Sequence, residues 1–224
     1  MIRVFIGFDS HEVVAYTVLS HSINTRASRP VTIAPLMLSQ LQGVFNRERN
    51  SLQSTEFSFS RFLVPYLSAY SDWSMFCDCD MLMLDDIAKL WALRDDRYAV
   101  QVVKHDHKPR ESVKFLDQPQ TKYEKKNWSS VILFNNNKCR ALTPDYVNTA
   151  TGLELHQFKW LGDDSLIGEL PHRWNHLVDY DATVPVNQVS LLHYTEGGPY
   201  FEAYRNCSYA AEWFAERDRA LVAG

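Results

Sequence analysis

The stretch WSMFCDCDMLMLDDIAKLW, Trp73 to Trp91, decides the fold. Trp73 to Cys77 is a compact apolar run, long enough for a strand buried on both faces. Asp78-Cys79-Asp80 interrupts it, and Met81 to Leu84 continues the apolar run as strand. Asp85-Asp86 is then placed to cap a helix carrying Ile87, Leu90 and Trp91. Residues i and i+2 of an extended chain project to one side, so the carboxylates of Asp78 and Asp80 can face a single point. Two like charges forced together among Met, Phe and Leu are costly unless a cation lies between them. A hard divalent ion with oxygen ligands, Mn²⁺ or Mg²⁺, meets that need.

The rest of the chain repeats the strand and helix alternation. Ile2 to Gly7 reads as a first strand, followed by the polar turn Phe8-Asp9-Ser10-His11-Glu12. Ala15, Val18, Leu19 and Ile23 then recur at helical spacing. Val31 to Leu36, Tyr98 to Val103, Ser129 to Phe134 and Val189 to His193 read as further strands. Phe59, Phe62, Leu63, Tyr66, Leu67 and Tyr70 form an apolar helical stripe, which Pro65 divides into two abutting short helices. Arg61 falls opposite that stripe, free to reach a ligand. A last helix surrounds Trp213 and Phe214. Apolar strands alternating with helices predict an α/β protein with a mostly parallel sheet flanked by helices, a single domain over 1–224. Ligands of such sheets sit beyond the carboxyl ends of the strands. Residues 43–57 and the basic stretch 104–127 read as loops that order over a bound ligand.

Composition removes whole classes. With 224 residues, 46% hydrophobic, the chain can bury an ordinary core and is not disordered. A net charge of −4 argues against a nucleic-acid partner. No apolar run reaches the ~18 residues of a spanning helix, so no transmembrane segment is expected. The start MIRVFIGFDSHE reads as a strand and not as a signal peptide, and the four cysteines read as free thiols. Together these predict a cytoplasmic protein, with a peripheral encounter at a membrane left open. No Gly-x-Gly-x-x-Gly, Walker-type loop or Gly-x-Ser-x-Gly elbow occurs. His105-Asp106-His107 reads as a solvated loop, because adjacent residues alternate sides. Cys77 and Cys79 lack the second pair that a zinc site would need.

Four segments carry a family resemblance: FIGFDSHEVVAYTVLSHSI from Phe5, TEFSFSRFLVPYL from Thr55, FCDCDMLMLDDIAKLW from Phe76 and LLHYTEGGPYF from Leu191. In this order they resemble the nucleotide-sugar glycosyltransferases of the GT-A (Rossmann-like) fold. The closest look is to glycosyltransferase family 8, which includes glycogenin and the lipooligosaccharide galactosyltransferases, and to small bacterial glycosyltransferases. The resemblance implies transfer of a sugar from a nucleotide diphosphate donor, UDP by family, to an acceptor hydroxyl with retention. It implies that Asp78, Asp80 and His193 hold Mn²⁺ or Mg²⁺ as a DXD-type site. Phe8, Asp9 and Ser10 would meet the nucleobase and ribose, and Arg61, Cys79, Ser129 and Ser130 would line the nucleotide-sugar. Gly162-Asp163-Asp164 resembles the family's Asp-Gln-Asp segment, which makes Asp163 and Asp164 the catalytic acids. The same residues are also good helix-capping chemistry, as is Asp9.

Two departures are visible. The family's late Lys before Pro is Gly198 here, ahead of Pro199, and its Asn-Ala-Gly is Trp128-Ser129-Ser130. The departures leave a non-catalytic nucleotide-sugar-binding protein as an alternative. A sugar-phosphate nucleotidyltransferase fits less well, since the Phe8 to Glu12 turn is acidic where a triphosphate loop would be basic and Gly-rich.

Overall fold

A β-branched and aromatic run makes β1 (Ile2–Gly7), and the helical repeat of Ala15, Val18, Leu19 and Ile23 makes α1 (Val13–Arg26). β2 (Val31–Leu36) returns beside β1, in parallel. A single-turn 3₁₀ helix (Ser60–Leu63) abuts α2 (Val64–Leu67), which Pro65 enters at its first turn, as the sequence predicts. β3 (Trp73–Cys77), β4 (Met81–Met83) and α3 (Ile87–Trp91) follow, with the Asp86 carboxylate accepting from Ala88 N–H as the cap of α3. β5 (Val100–Val102), the pair β6 (Val113–Lys114) and β7 (Gln118–Pro119), and β8 (Val131–Asn135) come next. The chain then forms α4 (Pro144–Thr149), α5 (Gly152–His156), β9 (Ile167–Glu169), β10 (His176–Leu177), β11 (Leu191–His193) and α6 (Ala210–Val222). This computed structural model describes residues 1–48, 53, 55–106, 113–114, 118–119 and 125–222. Parts of the 43–57 and 104–127 stretches, His107 among them, lie outside the described residues.

Six strands form the main sheet in the order β2-β1-β3-β8-β5-β9. Only β8 runs against the others, so the sheet is mostly parallel, with helices packed on it. β3 and β8 are buried at every position, which explains why their sequences are unbroken apolar runs without alternation. Each fully buried Phe or Leu of this core contributes ~1.5–3 kcal/mol, so the center of the sheet carries the stability.

One expectation needs correction. The apolar run from Trp73 to Leu84 is not one strand. The chain breaks at Asp78 to Asp80, and β4 leaves for a second sheet of order β10-β11-β4. There it pairs antiparallel with β11, Met81 opposite His193. The Asp78 and Asp80 carboxylates turn toward His193 at the point where the chain passes between the sheets, while Asp78 N–H still donates to Ser130 O and Asp80 O accepts from Tyr194 N–H. β9 and β10, three and two residues long, carry too little pattern to be read from sequence.

α6 closes over α1 through one acid. Glu216, only 1% exposed, accepts from Arg26 Nη2, Arg219 Nη2 and His21 Nδ1, each at 2.6 Å. Burial alone would raise its carboxyl, but these three partners reverse that and bring it from 4.5 down to about 2. A carboxyl depressed on folding contributes stability that is complete above its unfolded pKa and is lost as pH falls through the folded one. With Arg219 well exposed and screened, the contribution is about 2 kcal/mol. Glu216→Gln should therefore lower unfolding free energy by about that amount at pH 7, with the difference shrinking between pH 4.5 and 2. Urea titrations at both ends of that window check it, and a pH-independent difference would contradict it.

Candidate active site at the break between the sheets

Asp78 and Asp80 stand where β3 ends and β4 begins, and His193 ends β11 across the small sheet. His193 Nε2 lies 3.4 Å from Asp80 Oδ2 and 3.9 Å from Asp78 Oδ2. Ligand atoms of all three lie within 4.8 Å of one another. The three residues named from sequence as metal ligands are thus brought to one point.

The tautomer of His193 follows from a chain of hydrogen bonds. Ser130 O–H donates to Asn127 O at 2.6 Å, so Ser130 Oγ accepts from Asn175 Nδ2 at 2.9 Å. That turns Asn175 Oδ1 toward His193 Nδ1, 2.9 Å away. A carbonyl oxygen only accepts, so Nδ1 carries a proton, and Nε2 is the ring nitrogen turned to the two carboxylates. His193 is 2% exposed, and Asp80 Oδ1 is buried without a hydrogen-bond partner among the described residues. An imidazole nitrogen set against two carboxylates, with a buried carboxylate oxygen unsatisfied, is a donor set that a divalent cation could take up. The donors present fit Mn²⁺ or Mg²⁺.

Asn175 is a residue that sequence reasoning missed. It sits in Arg173-Trp174-Asn175-His176, far along the chain, with no motif to mark it. Substituting Asn175→Leu should weaken Mn²⁺ affinity roughly 10- to 100-fold, by freeing the ring that it orients. An isothermal titration unchanged from the parent protein would remove Asn175 from this role.

Arg61 departs from its expected place. It is buried, and does not stand free on a helix face. Its Nη1 contacts Asp78 Oδ1 at 2.8 Å and donates to Ser129 O at 2.8 Å, while Nε donates to Ser58 O at 3.1 Å. The guanidinium lies 4.9 Å from the Phe76 ring center and 5.3 Å from that of Phe57. The 3.6-residue period misplaces it, because Ser60–Leu63 is a 3₁₀ turn with a tighter repeat.

Ser129 and Ser130 brace the same corner. Ser130 O accepts the Asp78 N–H at 3.0 Å, and Ser129 Oγ lies 2.7 Å from His156 Nδ1. In the first turn, Asp9 is buried, accepting from His11 N–H at 2.9 Å and Glu56 N–H at 3.0 Å. Burial would raise its carboxyl, yet these donors and the His11 ring hold it below its ordinary value. Asp9 is a tie between loops and not a cap, since α1 begins at Val13 after Glu12, which makes no side-chain cap. Ser10 Oγ donates to Glu56 at 2.6 Å, and Phe8 meets Tyr16 edge-on. Gly7 is required beside them, because a Cβ there would overlap the ring of Phe57.

Glu12 and Tyr200 also escaped the sequence reading. Tyr200 O–H donates to Glu12 Oε1 at 3.1 Å, and the buried Cys79 thiol donates to Oε2 at 3.2 Å. The Cys79 side chain is thereby turned to Glu12. Burial, then the charge of Asp80, pushes the Glu12 carboxyl up to about 8. Tyr200 explains Gly198, since any Cβ at 198 would collide with the Tyr200 ring.

Asp163 and Asp164 are both exposed. Asp163 caps the 3₁₀ turn Asp164–Leu166, accepting from Ser165 N–H at 2.8 Å, and Asp164 pairs with Lys125 Nζ at 2.5 Å. The contacts that gather Asp78, Asp80 and His193 do not include them.

No protein-family model matches the chain. Among curated proteins, Protein CDI of Arabidopsis thaliana is 47% identical, over 96% of this chain and 86% of the relative. Among solved structures, the glycosyltransferase GlyE of Streptococcus pneumoniae superposes with a TM-score of 0.64 at 15% identity, covering 97% of this chain. The galactosyltransferase LgtC, solved with donor and acceptor sugar analogs, gives 0.60 at 13% identity, covering 97% of this chain and 96% of its own. The bifunctional glycosyltransferase WbbM gives 0.60 at 16% identity, covering 96% of this chain. This chain spans 51% of WbbM and 60% of GlyE. The backbone shared with these structures is the GT-A fold, and the chain belongs to the family of Protein CDI.

Proposed function

We propose that the protein is a metal-dependent glycosyltransferase, moving a sugar from a nucleotide diphosphate donor to an acceptor hydroxyl. The observation that carries this reading is His193 Nε2 set 3.4 and 3.9 Å from two strand-end carboxylates on a GT-A fold. Asp78, Asp80 and His193 would hold Mn²⁺ or Mg²⁺, which would supply positive charge against that developing on a leaving diphosphate. UDP as the nucleotide and retention at the anomeric carbon rest on the resemblance to glycosyltransferase family 8.

The chain's own residues set up the rest. Arg61 keeps one carboxylate beside a fixed positive charge, so the cluster is preorganised before donor arrives. Asp9 and Ser10, held to Glu56, form the turn at the carboxyl end of β1, where open α/β sheets take their ligands. Phe8, beside Tyr16, offers an aromatic face for the base, and Ser129 and Ser130 line the same corner. Asp163 and Asp164 are the acids that would face the reacting sugar or its acceptor. The absence of a Lys at 198 removes the family's neutralising cation, which supports a slower enzyme or the non-catalytic binding protein. Four cysteines without a disulfide support a reducing compartment such as the cytoplasm. Among the described residues no helix is long and apolar enough to cross a membrane.

The test is release of nucleotide from a panel of UDP- and GDP-sugars with Mn²⁺, followed by mass spectrometry. The expected result is metal-dependent release from one donor class. Tight metal-dependent binding with no release from any donor would establish the binding-protein alternative.

A further inference from the structure

A second set of nitrogen and oxygen donors lies on the other face of the small sheet. Leu177 is in register with His193 and His176 with Leu192, so His176 projects away from the face that carries His193. His105 follows β5, His172 lies in the 3₁₀ turn before β10, and Asp181 lies in the turn after it. Ligand atoms of His105, His172 and Asp181 lie within 4.8 Å of one another. His172 Nε2 is 3.3 Å from Asp181 Oδ2, and His176 Nδ1 is 3.7 Å from the same oxygen. Leu177 N–H donates to that oxygen at 2.6 Å and anchors it. The rings of His105 and His172 meet edge to face at 5.1 Å. His105 is buried here, which corrects its reading as part of a solvated loop.

The protons are arranged as in the first site. Tyr209 O–H donates to Val184 O at 2.8 Å and accepts from Val184 N–H at 2.9 Å. Its remaining lone pair faces His176 Nε2 at 3.5 Å, so that nitrogen carries a proton. His176 Nδ1 faces the Asp181 carboxylate oxygen.

We propose that His105, His172 and Asp181 form a second metal centre of the zinc class, separate from the Asp78, Asp80 and His193 cluster, with His176 holding Asp181 from behind. Two imidazoles and one carboxylate are a donor set suited to Zn²⁺ more than to Mg²⁺ or Mn²⁺. His172 has a side chain 53% exposed, so the fourth position opens to solvent. The ion would join the end of β5, in the main sheet, to the segments on either side of β10, in the small one. It is a cross-link between the two sheets that form the active-site corner.

The experiment uses chelator-stripped protein in which Asp80→Asn disables the first cluster, titrated with Zn²⁺ and, as a spectroscopic probe, Co²⁺. One equivalent should bind, with Co²⁺ giving the visible bands of a tetrahedral nitrogen and oxygen site and melting temperature rising with metal. Adding His172→Ala, at an exposed position that leaves the fold intact, should weaken binding at least tenfold. Asp181→Asn in the otherwise unaltered protein should reduce zinc stoichiometry from two to one, which keeps the test valid if the Asp80 variant folds poorly. No zinc uptake by the Asp80→Asn protein, or unchanged affinity after His172→Ala, would overturn the proposal.

Discussion

Asp80→Asn should abolish metal-dependent donor binding, lowering turnover at least a thousandfold while the protein stays folded. Asp80 Oδ1 is buried without a partner among the described residues, and Oδ2 faces His193 Nε2 at 3.4 Å. Removing that charge deletes a ligand and halves the carboxylate pair, yet leaves no buried ion unpaired. Stability should therefore hold or rise slightly, since the like-charge opposition to Asp78 is relieved. Function and stability thus move in opposite directions, which a merely structural acid would not produce. Mn²⁺ titration, turnover and a urea melt of the one variant make the check. Normal turnover would mean the strand-end acids serve something else.

Arg61→Ala should behave in the reverse way. Its guanidinium is buried against the rings of Phe57 and Phe76, and Nη1 lies 2.8 Å from Asp78 Oδ1. Truncation removes the stacking and takes a positive charge from beside the Asp78 carboxylate. Breaking one partner of a buried pair costs about 3–5 kcal/mol, a large share of a domain's total stability. Saturating Mn²⁺ should recover part of that loss, because the metal supplies positive charge to the same carboxylate. Arg61→Lys should fall between, keeping charge but not the fork that also reaches Ser58 and Ser129. Chemical denaturation with and without Mn²⁺ reads both effects. A loss under 1 kcal/mol would show that the pair is not load shared with the core.

The parts of the molecule legible in sequence are those fixed by local pattern. β1, α1, β2 and β3 follow from apolar runs and a helical repeat, and Asp86 caps α3 as its position implies. Asp78 and Asp80 stood out because charge at the end of a buried strand needs a reason. His193 needed the family resemblance, since a lone His at a strand end is common. What stayed hidden depends on contacts distant in sequence. Asn175 orients His193 through Ser130, and Tyr200 reaches Glu12 across the chain, with no spacing that links them. The α-helical period misplaces Arg61, because Ser60–Leu63 is a 3₁₀ turn. His105 looks solvated in the sequence because His172 and Asp181, which lie beside it, come from a segment some seventy residues later.

The heat of binding of UDP, GDP and their sugar conjugates, with and without Mn²⁺, tests whether Asp78, Asp80 and His193 are a metal centre serving a nucleotide-sugar. Micromolar binding of one nucleotide class is expected, lost without metal and lost again in Asp80→Asn. Silence for every nucleotide, or binding indifferent to Mn²⁺, would contradict it and leave only the fold in common with the glycosyltransferases.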